Sequence, residues 1–247
     1  MSHDGRRRAI LAIDTATTRV VIASGSPDGE SDGLTTWPAG YRHGELLLRS
    51  IARFLGDNNL RRSRLAGIVV GTGPGAFTGL RVGIATAKGL AHGLGLPIAG
   101  VSTAEAILAA AAAGAAGGPG GSEAPGDPAA PGTSTGGPVL LLPAGPSDRV
   151  LVRRGGVPQL LPGGTDPELA PGEWLVAVDL EGRAPDDAVA LGERARLGLG
   201  HVLVRMGAKR LSDGAGDDLA GLVPEYVTLP RGVLAQHGEV AWSRDPR

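Results

Sequence analysis

The stretch Gly71-Thr72-Gly73-Pro74-Gly75-Ala76-Phe77-Thr78-Gly79-Leu80-Arg81 follows a short apolar run at residues 68–70 and leads into a helical pattern at 80–94. A strand, a glycine-rich loop and a helix in direct succession describe an α/β unit with the loop at the strand's carboxyl end. Glycines at such a junction let backbone N–H groups approach an anion near the positive end of the helix dipole. A tight strand-to-helix turn that holds no ligand uses the same residues, and both readings stand. Two nucleotide loops are excluded. A Walker A loop needs Gly-Lys-Ser/Thr where Gly79-Leu80-Arg81 occurs. Gly71, Gly73 and Ala76 fit the looser G-x-G-x-x-A pattern, but the next acidic residue is Glu105, far past the roughly 20 residues at which a ribose-binding carboxylate is expected. From Asn58 to Ala104 there is no Asp or Glu, while Arg61, Arg62, Arg64, Arg81 and Lys88 are present, so an anion or acidic partner is expected near the loop.

Working outward, apolar runs at 10–13, 20–23 and 34–37 read as three strands, 43–55 as a helix and 98–101 as a further strand. The predicted order is β-β-β-α-β-α-β. Residues 109–138 are Ala, Gly, Pro, Ser or Thr except for Glu123 and Asp127, and they lack large apolar side chains that could offset ordering entropy. They are expected to form a flexible linker or insertion between an N-terminal lobe, 1–108, and a reduced C-terminal lobe with a tail, 139–247. In the second lobe, 139–142 and 150–152 read as a hairpin, 175–178 and 202–203 as strands, and 187–197 as a helix.

The 247 residues contain no Cys, which excludes disulfides, thiolate metal sites and a Cys nucleophile, and makes a reducing cytoplasm the expected location. A formal charge of −1 argues against a free-standing nucleic-acid binder, so any RNA contact would be local or shared. The N-terminal arginines precede an apolar segment too short for a signal sequence, and no stretch is long and apolar enough for a membrane span. The five histidines show no metal-binding spacing, no G-x-S-x-G elbow occurs, and Asp14 reads as a turn residue, so no catalytic, metal or cofactor residues are assigned. His43 and Glu45 stand at a helix start, where Glu45 suits the helix dipole.

The helices carry a different signal. Leu46, Leu47, Leu48, Ile51, Phe54 and Leu55 span an arc of roughly 200°, about twice what one core needs, so this helix is expected to bury two faces. On the next helix Ala85, Gly89 and Gly93 recur every four residues, with Arg81, Lys88 and His92 beside them, a spacing that lets another helix approach closely. The expected partner interface comprises His43, Glu45, Leu46, Leu47, Arg81, Ala85, Lys88, Gly89, His92 and Gly93. The glycine-loop site comprises Gly71, Gly73, Pro74, Gly75, Phe77, Thr78 and Gly79.

Ala12-Ile13-Asp14-Thr15-Ala16-Thr17-Thr18, Arg42-His43-Gly44-Glu45-Leu46-Leu47, the glycine loop with Ala87-Lys88-Gly89-Leu90-Ala91, and Gly100-Val101-Ser102-Thr103-Ala104-Glu105-Ala106 together resemble the TsaB family. Pro224-Glu225-Tyr226 adds a faint second-lobe match. The resemblance implies an α/β, actin-like and sugar-kinase-like (ASKHA) fold of two ribonuclease-H-like lobes. It also implies a non-catalytic dimerisation subunit that pairs with the catalytic paralogue TsaD, is joined by the ATPase TsaE, and meets tRNA through that complex during threonylcarbamoyladenosine synthesis. TsaD-like proteins carry His-x-Glu-Gly-His where Thr103, Glu105 and Ile107 occur here, and Ala16 replaces the usual phosphate-hairpin glycine. The Asp-Ala-Arg pattern of the family's second lobe survives only in outline at Pro143 to Val152. A self-associating homodimer without a tRNA role, and a glycoprotease-like or kinase-like enzyme, are the alternatives.

Overall fold

The computed structural model describes residues 8–38, 43–116 and 136–226. β1 (Ala9–Asp14), β2 (Arg19–Gly25) and β3 (Ser31–Pro38) form an antiparallel meander, and β4 (Leu65–Gly71) and β5 (Ile98–Val101) add parallel to β1. The strand order β3-β2-β1-β4-β5 is the ribonuclease-H-like arrangement expected from the sequence. A second sheet, β8-β7-β6-β9, repeats it through four strands, built from β6 (Gly137–Pro143), β7 (Arg149–Val152), β8 (Gln159–Leu161) and β9 (Glu173–Ala177).

β1 is buried along its whole length because both faces of its sheet are covered. Leu11, Ile13, Val20, Ile22, Ile68 and Val70 meet Leu47, Ile51, Phe54 and Leu55 of α1 (His43–Asp57) and Ile84, Ala87 and Ala91 of α2 (Phe77–Leu94). The alternate residues Ile10, Ala12, Val21, Ala23 and Val69 meet α3 (Thr103–Ala116) and α4 (Asp186–Ser212). This second core also takes Leu140, Leu142, Val150, Val152 and Val176 from the other sheet, so one apolar layer joins the lobes.

The structure corrects two expectations. Residues 109–116, read as linker, continue α3, because alanine favours the helix and its small side chain packs closely on α4; Ala110 and Ala111 are buried. The rest of the putative linker, 117–135, lies outside the described residues. Val202 and Leu203, read as a strand, belong to α4, which runs on past residue 197 to cover the first sheet. Their β-branched and apolar character serves burial there, not strand pairing. Within this chain α1 packs one face on the core and leaves Leu46 and Leu48 exposed, and β8, whose Gln159 and Leu160 are exposed, carries no sequence signal.

α4 also ties the lobes together through charge. Arg196 Nη1 donates to Asp179 Oδ1 at 2.6 Å, and Asp179 accepts from the Thr18 backbone N–H at 2.7 Å and its hydroxyl at 2.5 Å. Glu193 takes a second bond from the guanidinium. The Arg196 and Asp179 side chains are each 7% exposed. Removing one partner strands a buried charge, so Arg196→Ala should lower the unfolding free energy by about 3 kcal/mol in urea titrations. Arg53→Ala, which breaks an exposed pair with Asp57, should change it by less than about 0.5 kcal/mol.

Candidate functional site

The carboxyl ends of β1 and β4 bring the β1–β2 turn, 15–18, against the glycine loop, 72–76. The contact is backbone on backbone. The Ala76 N–H donates to the Ala16 carbonyl at 2.7 Å, and the Thr15 hydroxyl donates to the Gly79 carbonyl at 2.7 Å. A Cβ at Gly75 would lie 2.2 Å from the Ala16 oxygen, one at Gly79 2.1 Å from the Thr15 oxygen, and one at Gly83 2.1 Å from the Thr15 hydroxyl. Only glycine permits this approach. The loop's own donors are drawn inward: Thr72 N–H bonds Val101 O at 2.9 Å, and Gly73 N–H bonds Thr103 Oγ1 at 3.1 Å.

Asp14 lies under the loop, fully buried, 2.6 Å from the donating Thr103 hydroxyl and 2.9 Å from the Ala16 N–H. Burial raises its carboxyl to about 6, against the lowering effect of those two bonds and with a small push from Asp179. It is a buried anchor of the turn and not the simple turn residue expected. Thr103 and Ile107 are fully buried, and Glu105 accepts the Gly155 N–H at 2.7 Å. Among the described residues no group of three or more His, Cys, Asp or Glu side chains could hold a metal ion.

The chain after α4 returns as a strap. Asp217 bridges the Ile98 carbonyl and the Gly100 N–H, and Leu222 enters the core of the first lobe. Glu225 N–H donates to Thr72 O at 2.8 Å, while its carboxylate accepts the Thr72 hydroxyl at 2.5 Å. Tyr226 stacks on Phe77 with centroids 5.1 Å apart and accepts Arg81 Nε at 2.8 Å. The Arg81 guanidinium lies 3.9 Å from the Phe77 ring centroid. Between this strap, the loop and the β6–β7 hairpin remains a cavity of about 50 Å³, lined by Pro74, Phe77, Leu142, Pro143 and Tyr226 among others. Pockets that hold cofactors are typically about 300–1,000 Å³.

Of the expected interface, Leu46, Ala85, Gly89, His92 and Gly93 are exposed on α1 and α2, and nothing lies within 4 Å of a Cβ built at Gly89 or Gly93. Lys88 is half-buried beside them. Leu47 is a core residue, 1% exposed, and Arg81 is held by Phe77 and Tyr226. The side chains of His43 and Glu45 lie outside the described residues. In the glycine loop Gly71, Gly73, Pro74 and Gly79 are buried, Gly75 is half-buried, and Phe77 and Thr78 are exposed. The anion expected near the loop loses three of its five cations: Arg61, Arg62 and Arg64 precede β4, about 20 Å from its loop end. Sequence reasoning missed Asp179 and Arg196, which carry no local motif.

Two sheets with ribonuclease-H-like strand order, with α3 and α4 packed against them, make an α/β fold of the actin-like, sugar-kinase-like type expected from the sequence. A sequence model of the family described as TsaD, tRNA N6-adenosine threonylcarbamoyltransferase, matches residues 34–123. An uncharacterized protein of Mycobacterium leprae is 41% identical over 103 residues, 40% of this chain and 28% of that one. The tRNA threonylcarbamoyladenosine biosynthesis protein TsaB of Escherichia coli is 36% identical over 94 residues, 38% of this chain and 40% of that one. The chain thus spans less than half the length of these curated relatives. The structure of YeaZ from Pseudomonas aeruginosa shares the fold, with a TM-score of 0.62 and 22% identity over 89% of this chain and 100% of that one. The resemblance to TsaB read from the sequence is borne out.

Two outcomes test this geometry. Gly79→Ala should destabilise the protein by about 1–3 kcal/mol through overpacking, whereas Gly89→Ala, facing open space, should be neutral or stabilise by up to about 1 kcal/mol in the same unfolding assay. Because Asp14 is raised from 3.8 to about 6 in the folded chain, its own contribution to stability should be fully present below about pH 4 and be lost, by roughly 3 kcal/mol, as pH rises through 6. Asp14→Asn should flatten that part of a urea-unfolding pH series.

Proposed function

We propose that this chain is a non-catalytic pairing subunit that binds a TsaD-like catalytic paralogue and supports transfer of threonylcarbamoyl to the adenosine beside the tRNA anticodon. The observation that carries the reading is the exposed α1–α2 face, in the lobe where the similarity to TsaB lies. On α1 Leu46 and Leu48 are 38% and 56% exposed, and on α2 Ala85, Gly89 and Gly93 are exposed, with nothing within 4 Å of a Cβ built at Gly89 or Gly93. Such a face lets a partner helix approach closely and bury apolar surface. A TsaE-like ATPase joins the pair, and tRNA meets this chain within the complex. The machinery works in the cytoplasm; among the described residues no helix is long and apolar enough to cross a membrane.

The transferase reading, favoured by the family model over residues 34–123, is weaker. The positions that would supply metal-binding histidines are Thr103 and Ile107, and both are buried in structural roles: Thr103 bonds Asp14, and Ile107 fills the inter-lobe core.

The test is threonylcarbamoyladenosine formation on tRNA by purified TsaD, TsaE and adenylate-forming components, with and without this chain. Product should appear only with it, and Gly89→Leu or Ala85→Arg should weaken pairing at least tenfold by calorimetry while leaving thermal stability near wild type. Unchanged pairing of both variants contradicts the assigned face. Product formation that is indifferent to the folded chain contradicts the function and favours a self-associating homodimer on the same face.

A further inference from the structure

Four arginines stand together at the end of the first sheet opposite the cleft. Arg61 precedes the 3-10 turn Arg62–Arg64, and β4 then starts at Leu65, which lies beside Ala9 in the parallel register with β1. Arg8 is therefore brought next to Arg64. All four are exposed, and the turn contains no buried residue. Among the described residues none of their side chains makes a hydrogen bond or an ion pair.

The surroundings do not neutralise them. Residues 58–104, which include β4, α2 and β5, contain no Asp or Glu. Asp57, at the end of α1, is held by Arg53 at 3.4 Å. Asp28 and Glu30, in the β2–β3 turn at the same end of the sheet, form no ion pair with any of the four. Crowded like charges repel and raise the local positive potential, an arrangement suited to a polyanion. Guanidinium groups present planar forks of donors that match phosphate oxygens, and three of them fall within four consecutive residues.

We propose that Arg8, Arg61, Arg62 and Arg64 form a docking surface for the phosphate backbone of RNA, separate from the cleft and from the α1–α2 face. The choice of RNA over an acidic protein rests on the reading that the chain serves a tRNA-modifying complex. With a net charge of −1 on the whole chain, the contact is local, weak and strongly salt-dependent.

The experiment is fluorescence anisotropy of a labelled, unmodified tRNA transcript with the full chain, between about 50 and 200 mM KCl. Each neutralised phosphate contributes about 0.7–0.9 to the slope of log K against log salt, so R61A/R62A/R64A should make the slope shallower by about 2–3 and weaken binding at least tenfold. R49A/R53A, on exposed α1 positions, should bind as wild type does. Equal binding by wild type and the triple variant overturns the proposal, as does absence of wild-type binding at the lowest salt. Binding to polyglutamate but not tRNA also overturns it and assigns the surface to an acidic protein. Pairing with the TsaD-like paralogue, scored by size exclusion on the same samples, separates the two readings. Loss of RNA binding with intact pairing supports this surface, whereas absent pairing with intact RNA binding leaves it standing and counts against the pairing role.

Discussion

The contact of the glycine loop with the β1–β2 turn is the constraint from which the rest of the site follows. With Ala76 bonded to Ala16 and Thr15 to Gly79, the two backbones approach so closely that Gly75, Gly79 and Gly83 have no room for a side chain. The same approach buries Asp14 beneath the loop, where Thr103 and the Ala16 N–H hold its carboxyl. It also turns the N–H groups of Thr72, Gly73 and Ala76 toward protein acceptors. A loop that looks like an anion cradle in sequence thus acts as a packing joint.

Two further contacts join the lobes and cover the loop. Asp179, held by Arg196 of α4, accepts from Thr18 of the first lobe, so a charge-paired carboxylate links the lobes. The strap bearing Glu225 and Tyr226 covers the other side of the loop, with Phe77 and Arg81 stacked against it. The chemistry-bearing groups of the cleft are therefore engaged with one another. The α1–α2 face and the arginine end of the sheet are exposed, and they are the surfaces to which the proposed binding roles are assigned.

The first lobe was legible because most of its strands are short apolar runs and its helices keep a 3.6-residue period, so the order of elements along the chain and the loop's position followed from residues 9–101, while the sheet order came from the family resemblance. The second lobe was obscured by Pro and Gly. Val202 and Leu203 looked like a strand because a long helix buried against two sheets loses its polar alternation. Residues 109–116 looked like linker because alanine runs read as low complexity until a neighbouring helix packs on them. At the site, the stripe of Ala85, Gly89 and Gly93 was visible as a period, whereas Leu47 was assigned to the wrong face because α1 is apolar on both sides. Arg196 and Asp179 are 17 residues apart and meet Thr18 only after the chain has closed, so no local pattern marks them.

The proposed role assigns function to the α1–α2 surface and only packing to the glycine loop. Hydrogen–deuterium exchange of the full chain, with Mg-ATP or with a TsaD-like partner added separately, tests it most directly. The partner should protect amides of α1 and α2, while Mg-ATP should leave the β1–β2 turn and residues 71–80 unchanged. Protection of that turn and loop by Mg-ATP on the isolated chain, without protection of α1 and α2 by the partner, would contradict it.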